Sequence, residues 1–230
     1  MLAGRAWRAM IRIKAGIMPA MHTTRSSRWA GWASVGLVWF VLAVVVSQIR
    51  RPDLDWIRVP LSFYLLGPGG IALRVAYVVM AVALVLLGVS GWLAATPSRR
   101  RIVPAGLFMF AAVALCVVAF AETNTREHPD TLHGLVHGVA AQATFLGVTV
   151  AMMLQAWWLR ADPAWRGRMR GALPWAAVCF IALWVQALDR DLPRGLGQKV
   201  LVVMIVSWLL VFAWRLRRGP APGQARRQYP

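Results

Sequence analysis

The fold is decided by residues 70–95, which read GIALRVAYVVMAVALVLLGVSGWLAA. This stretch carries one charged side chain, Arg74, and the rest of it is mostly apolar or small. A helix needs about 20 residues to cross the roughly 30 Å hydrocarbon core of a bilayer. Because backbone polar groups find no water in that core, a segment this apolar is predicted to be a transmembrane α-helix.

Five other runs in the chain have the same apolar character. The six predicted spans are Ala30–Ile49, Gly70–Ala95, Ile102–Ala121, Leu132–Leu159, Gly171–Leu188 and Gly197–Leu216. The alternation of apolar and polar residues that is typical of a membrane β-barrel is absent. We therefore predict an all-α fold, a polytopic bundle of six transmembrane helices formed by residues 29–218.

The two ends of the chain are predicted to lie outside this bundle. Residues 1–28 form a basic segment, which is either an interfacial helix on anionic lipid or an overextended start, since Met18 and Met21 also precede the first span. Residues 219–230 are rich in Pro, Gly, Arg and Gln, and we expect a disordered tail.

The charges predict the orientation of the bundle. A net charge of +18 in a soluble protein would suggest nucleic acid, but here the basic residues occupy short gaps between apolar runs, so we expect no nucleic-acid partner. Of 26 Lys and Arg residues, 18 fall on one side of the predicted membrane and 7 on the other. The positive-inside rule then places both termini in the cytoplasm. An Arg- and Ala-rich composition favours a bacterial inner membrane as the location.

The opposite, outer side collects the acidic residues and the other polar groups near the span ends. Seven of the eight acids lie there, in the connections after the first, third and fifth spans. The candidate ligand-pocket residues are Arg74, Tyr77, Glu122, His133, His137, Gln186, Asp189, Gln198 and Lys199. The histidine face of the fourth span continues to Thr144 and Gln155, and we expect this face to point into the bundle. We expect these side chains to converge, with Arg74 paired to Glu122 or Asp189, because a charge inside a span is costly to bury without a partner.

Three interpretations of this polar layer stay open. It is a structural plug, or an outward pocket that binds a lipid headgroup or small amphiphile, or a metal site. In the metal interpretation, His133 and His137 lie one helical turn apart and share a Zn²⁺, and Glu122, Asp130 or His128 completes the shell. Membrane lipids are the expected partners, no other cofactor is indicated, and a homo-oligomer is compatible with the pattern.

The two functional interpretations lead to different activities. A pocket favours a non-enzymatic binding protein, and a zinc site favours a metal-dependent intramembrane hydrolase of lipid amides or esters. The Glu of an HExxH motif is missing, so the pair of histidines is a weak metal signal. Ser62 lies near the same side and is a nucleophile candidate by proximity alone.

Three segments together resemble a family of uncharacterised membrane proteins, the domain-of-unknown-function family 998. They are Leu61–Gly70, which ends in Leu-Gly-Pro-Gly-Gly, then Asp130–Gly138 with its His-Gly pairs, and Gly195–Lys199 with Gly-Leu-Gly-Gln-Lys. The resemblance covers about residues 31–216 and implies a six-helix integral membrane protein, without catalytic residues. Phe120-Ala121-Glu122 replaces the family's usual Phe-Pro-x-Asp approach to the histidines, which leaves the role of Glu122 undefined.

Overall fold

The structure, a computed structural model, describes residues 2–125, 130–189 and 191–220. In this part of the chain the regular elements are all helical. They are α1 (Leu2–Arg50), α2 (Gly70–Ala94), α3 (Ile102–Phe120), α4 (Leu132–Ala161), α5 (Ala172–Leu188) and α6 (Arg194–Arg218). Two short 3₁₀ turns, Leu61–Leu65 and Pro97–Arg99, lie in the connections after α1 and α2.

In the part of the chain that the structure describes, five helices are long and apolar enough to cross a membrane. They are the Arg25–Arg50 part of α1, together with α2, α3, α4 and α6. Helix α5 has 17 residues, one fewer than its predicted span, and is shorter than these five. It begins at Ala172 because Gly171 adopts the left-handed conformation, with φ of 77°, which ends the preceding turn and caps the helix. The six predicted helices are thus confirmed, whereas five of them have the length and the apolar composition of a membrane span.

The structure tests the predictions for the two ends of the chain only in part. The backbone of residues 2–24 continues α1 without a break, and the two alternatives for residues 1–28 stay predictions. Residues 221–230, most of the predicted tail, lie outside the described residues, as does His128 of the metal interpretation.

The helices form a ring in chain order. Each helix packs against the next one, and α6 returns to pack against α1. Small residues allow close approach between neighbours: a Cβ on Gly88 of α2 would lie 3.0 Å from Cβ of Phe108 on α3. Gln155 of α4, predicted to face the bundle, is buried against Gly91 of α2.

The end of the ring that holds both termini, here called the basic end, is fastened by one buried acid. Asp162, at the end of α4, is fully buried. Its carboxylate accepts hydrogen bonds from the backbone N–H of Thr96 at 2.9 Å and of Ala164 at 3.0 Å. The indole of Trp165 donates to the carbonyl of Ala94 at 2.9 Å. The α4–α5 connection is therefore bonded to the α2–α3 connection.

Candidate ligand-binding site

The ring encloses a narrow, mostly apolar cavity near its other end. The cavity has a volume of about 70 Å³ and is lined by residues of α1, α2, α3, α4 and α6. Helix α5 contributes none of the lining residues. Its apolar wall includes Phe40, Met80, Leu84, Leu115, Val118, Phe145, Val148, Val202 and Val206, and its polar lining consists of Ser62, Tyr77, His137, Thr144 and Gln198.

His137 is held in a defined orientation at this cavity. The residue is 5% exposed, and its Nδ1 lies 2.8 Å from the carbonyl oxygen of Ala121. A carbonyl can only accept, so Nδ1 carries the proton and donates. The other ring nitrogen, Nε2, has no hydrogen-bond partner among the residues that the structure describes. In the neutral ring, Nε2 carries a lone pair and can accept a hydrogen bond from a bound molecule.

The connection between α1 and α2, residues 51–69, folds over the ring as a cap. Within the cap, the 3₁₀ turn Leu61–Leu65 is mostly buried, and Ser62, 9% exposed, lines the cavity. The backbone N–H of Leu61 donates to Oε1 of Gln198 at 2.8 Å. Gln198 therefore presents its amide oxygen to the cap, and this leaves its Nε2 donors for other partners.

The cap is fastened to the start of α6. The Lys199 ammonium donates to the carbonyls of Trp56 at 2.6 Å and Val59 at 2.8 Å, and it lies 5.6 Å from the centre of the Tyr64 ring. The N–H groups of Gly195 and Leu196 donate to carbonyls of the cap, at 3.2 and 2.7 Å. Lys199 was a pocket candidate, and its observed contacts are with the cap.

Arg51 joins the two ends of the cap to each other. It binds the carboxylate of Asp53 through Nε and Nη2 and donates from Nη1 to the carbonyl of Leu66 at 2.8 Å. The hydrogen bond from Arg51 lowers the pKa of Asp53 below its ordinary value. Burial raises the pKa of Tyr64 in the adjoining turn. Arg51 therefore closes the cap on itself, whereas Lys199 binds it to α6.

A larger polar cavity adjoins the inner one between α4, α5 and α6. It has a volume of about 400 Å³. Its polar lining residues are Gln142, Gln186, Asp189, Arg194 and Gln198. Oε1 of Gln186 is buried without a hydrogen-bond partner in the described structure. Three residues, Ala141, Phe145 and Gln198, line both cavities, so the polar and the apolar space share one wall.

The predicted polar residues converge only in part. Tyr77, His137 and Gln198 line the inner cavity, and Gln186 and Asp189 join Gln198 at the polar cavity. His133 and Glu122 are exposed and line neither cavity, and Arg74 also lies outside both. The expectation that all nine candidates meet is therefore wrong, because Glu122 follows the end of α3 and His133 lies in the first turn of α4, beyond the packed part of the ring.

The predicted ion pair of Arg74 is also absent. Within the described ranges the ion pairs are Arg51–Asp53 and Arg58–Asp55, and Arg74 joins neither Glu122 nor Asp189. Its Nε atom is buried without a hydrogen-bond partner in that part of the chain. No three His, Cys, Asp or Glu side chains of the described residues lie close enough to hold a metal ion together.

Hydrogen bonds between nearby residues determine the conformation of the segment before α4. Oδ1 of Asn124 accepts from the backbone N–H and the hydroxyl of Thr131, and Thr131 Oγ1 caps α4 by accepting from the N–H of Gly134 at 3.0 Å. A Cβ on Gly134 would collide with the Asn124 side chain. Asn124 was not among the predicted site residues. The available signal was Thr131 directly before α4, because threonine commonly caps the start of a helix.

The described chain is all-helical, with several long apolar helices, and these features define a multi-pass membrane protein. It belongs to the family described as "Protein of unknown function (DUF998)", whose model matches residues 34–215. The resemblance drawn from the three sequence segments is thereby confirmed. Neither the curated proteins nor the solved structures include a match.

Proposed function

We propose that this protein binds a single-chain amphiphile, with the chain in the inner cavity and the polar head in the polar cavity. The observation that carries the proposal is the wall shared by an apolar and a polar cavity, formed by Ala141, Phe145 and Gln198. Apolar burial supplies affinity of roughly 0.8 kcal/mol per CH₂ group. The charged and amide side chains of the polar cavity supply donors and acceptors for a headgroup.

The small size of the inner cavity favours a slender ligand. Its 17 lining residues surround only about 70 Å³. One acyl chain is a better match to so small a space than the two chains of a phospholipid. Ser62, Tyr77 and His137 add hydroxyl and imidazole groups to the inner cavity, which suit a carbonyl group where the chain joins the head.

Ala141→Phe is expected to weaken ligand binding by roughly tenfold or more, because the added ring fills the shared wall; a tenfold loss equals about 1.4 kcal/mol. The measurement is titration of purified protein in nanodiscs with radiolabelled lauric acid, corrected for binding to empty nanodiscs. Val139→Phe is the matched control, since Val139 lies on the same helix and is 62% exposed. Equal affinities of the two variants, both matching the wild type, would contradict the proposal.

For the membrane arrangement we propose six crossings, with both termini in the cytoplasm of a bacterial inner membrane. The proposal is supported by the bias of basic residues towards the end that holds the termini, and the short α5 is the sixth crossing. A periplasm-dependent phosphatase fused after Arg227 is expected to be inactive, and one inserted after Asp55 active. The reverse pattern would refute this orientation.

The alternative function, a metal-dependent intramembrane hydrolase using His133 and His137, stays a prediction. His137 is buried beside the cavity, whereas His133 is exposed. His128, a candidate third ligand, lies outside the described residues. Stoichiometric zinc in the purified protein, lost on His133→Ala, would favour this alternative over binding alone.

A further inference from the structure

We propose that Ser62 is an acyl-accepting nucleophile and His137 its general base, so that the cavity hydrolyses a carboxylic ester of a single-chain lipid. This inference rests on the proposed function, because the ester must first occupy the cavity. Two observations carry it. Both residues line one cavity, and in the described structure neither the Ser62 hydroxyl nor Nε2 of His137 has a hydrogen-bond partner.

The orientation of His137 is the one that a general base needs. A base activates a serine through an unprotonated ring nitrogen, while the other nitrogen donates to a group that fixes the ring. The carbonyl of Ala121, 2.8 Å from Nδ1, is that fixing group. It leaves Nε2 as the nitrogen that can take a proton. Because a carbonyl is neutral, it stabilises the charged ring less than a carboxylate would.

Ser62 is positioned by hydrogen bonds of the residues on either side of it. The N–H of the preceding residue, Leu61, is bonded to Gln198 at 2.8 Å, and Phe63 N–H donates to the Pro60 carbonyl at 3.2 Å. Buried hydroxyl groups normally find a partner inside the protein. A serine that is 9% exposed at a cavity, and whose hydroxyl has no partner among the described residues, is therefore suited to meet a ligand.

Two further groups can stabilise the charge that develops on the ester carbonyl. The bond from Leu61 fixes the amide oxygen of Gln198, so its Nε2 donors remain for the cavity. Tyr77 also lines the cavity, and its hydroxyl has no partner in the part of the chain that the structure describes. Fixed donors aimed at a developing oxyanion lower the barrier of acyl transfer.

The reaction balances with water as the co-reactant. Oγ of Ser62 forms a bond to the ester carbonyl carbon, and its proton passes to Nε2 of His137. The ester C–O bond breaks, and the alcohol leaves with that proton. Water then attacks the acyl-Ser62 carbonyl and gives a proton to His137. The bond to Oγ breaks, Ser62 regains its proton, and the carboxylic acid is released. Water reaches the cavity from the adjoining polar cavity.

An alkyl fluorophosphonate tests the nucleophile directly. With the wild-type protein in nanodiscs we expect one covalent adduct by intact mass, located on Ser62 by peptide mapping. Ser62→Ala is expected to abolish the adduct and Ser47→Ala to retain it, since the Ser47 hydroxyl bonds the Val44 carbonyl of its own helix. His137→Asn keeps a side-chain N–H near the position of Nδ1 but has no base, and should slow labelling by roughly 100-fold.

Binding of radiolabelled lauric acid separates the two proposals. A wild-type protein that binds the probe but forms no adduct, or a Ser62→Ala variant that is still labelled at the wild-type rate, overturns the nucleophile and leaves the binding function. A wild-type protein that neither binds nor reacts overturns both. Ser62→Ala and His137→Asn variants that unfold at the wild-type temperature, together with lost or slowed labelling, support the nucleophile and exclude unfolding as the cause.

Discussion

Gly195→Ala is expected to detach the cap from α6 and to destabilise the protein by about 2–4 kcal/mol, the range of severe overpacking. A Cβ at this position would lie 2.5 Å from the carbonyl oxygen of Val59 and 2.7 Å from its nitrogen. These are backbone atoms, so they cannot move away by a side-chain rotation. The hydrogen bond from Gly195 N–H to Arg58 and that from Leu196 to Ile57 would lengthen or break.

The change is measured by thermal unfolding in detergent and by hydrogen exchange of residues 57–66. Gly138→Ala is the matched control, because a Cβ on Gly138 meets no atom within 4 Å and the residue is exposed on α4. That substitution should be neutral or stabilise by up to about 1 kcal/mol, through helix propensity. A Gly195→Ala variant that unfolds like Gly138→Ala, with unchanged exchange in the cap, would show that the contact does not hold it.

Asp162→Ala should destabilise the basic end by about 2–5 kcal/mol. The carboxylate is fully buried and accepts two backbone N–H groups, from Thr96 and Ala164. Each donor left without an acceptor costs about 1–3 kcal/mol. The expected observation is a lower unfolding temperature, with faster hydrogen exchange at residues 95–101.

Asp162→Asn separates hydrogen bonding from packing in the same position. The amide keeps one acceptor oxygen, so we expect about half of the loss caused by alanine. Asp191→Ala, at an exposed site, should change stability by less than about 0.5 kcal/mol. Equal unfolding temperatures for Asp162→Ala and Asp191→Ala would contradict the role assigned to Asp162.

The helices were predictable from the sequence because backbone polar groups in lipid must be hydrogen-bonded within the protein, and a helix does this within one segment. Helices α2 and α3 begin at the predicted residues, because Gly-Pro-Gly-Gly and the Arg99–Arg101 run mark these boundaries. Each helix ends one residue earlier than predicted. Helix α6 begins three residues earlier than predicted, because Pro193 precedes its first turn and Arg194 is tolerated at a helix end. Apolar character alone could not fix that terminus.

The site was predictable only where helical spacing determines it. His137, Thr144 and Gln155 follow one face of α4, and all three are buried as the pattern indicated. The cap could not be predicted, because its fold depends on contacts of Leu61 and Val59 with α6 across a long sequence separation. Asp162 was overlooked because charge counting treats it as an isolated acid among basic residues, whereas burial makes it structural.

The shortness of α5 has a consequence for the lipid around the polar cavity. Seventeen residues at 1.5 Å each span about 25 Å, less than the roughly 30 Å of an average hydrocarbon core. In the arrangement of six crossings proposed above, the bilayer around α5 relieves this hydrophobic mismatch by thinning locally. Gln186 and Asp189, which line the polar cavity, lie at the end of that helix. Thinning there would draw the headgroup layer towards the cavity and shorten the path by which an amphiphile leaves the bilayer for the protein.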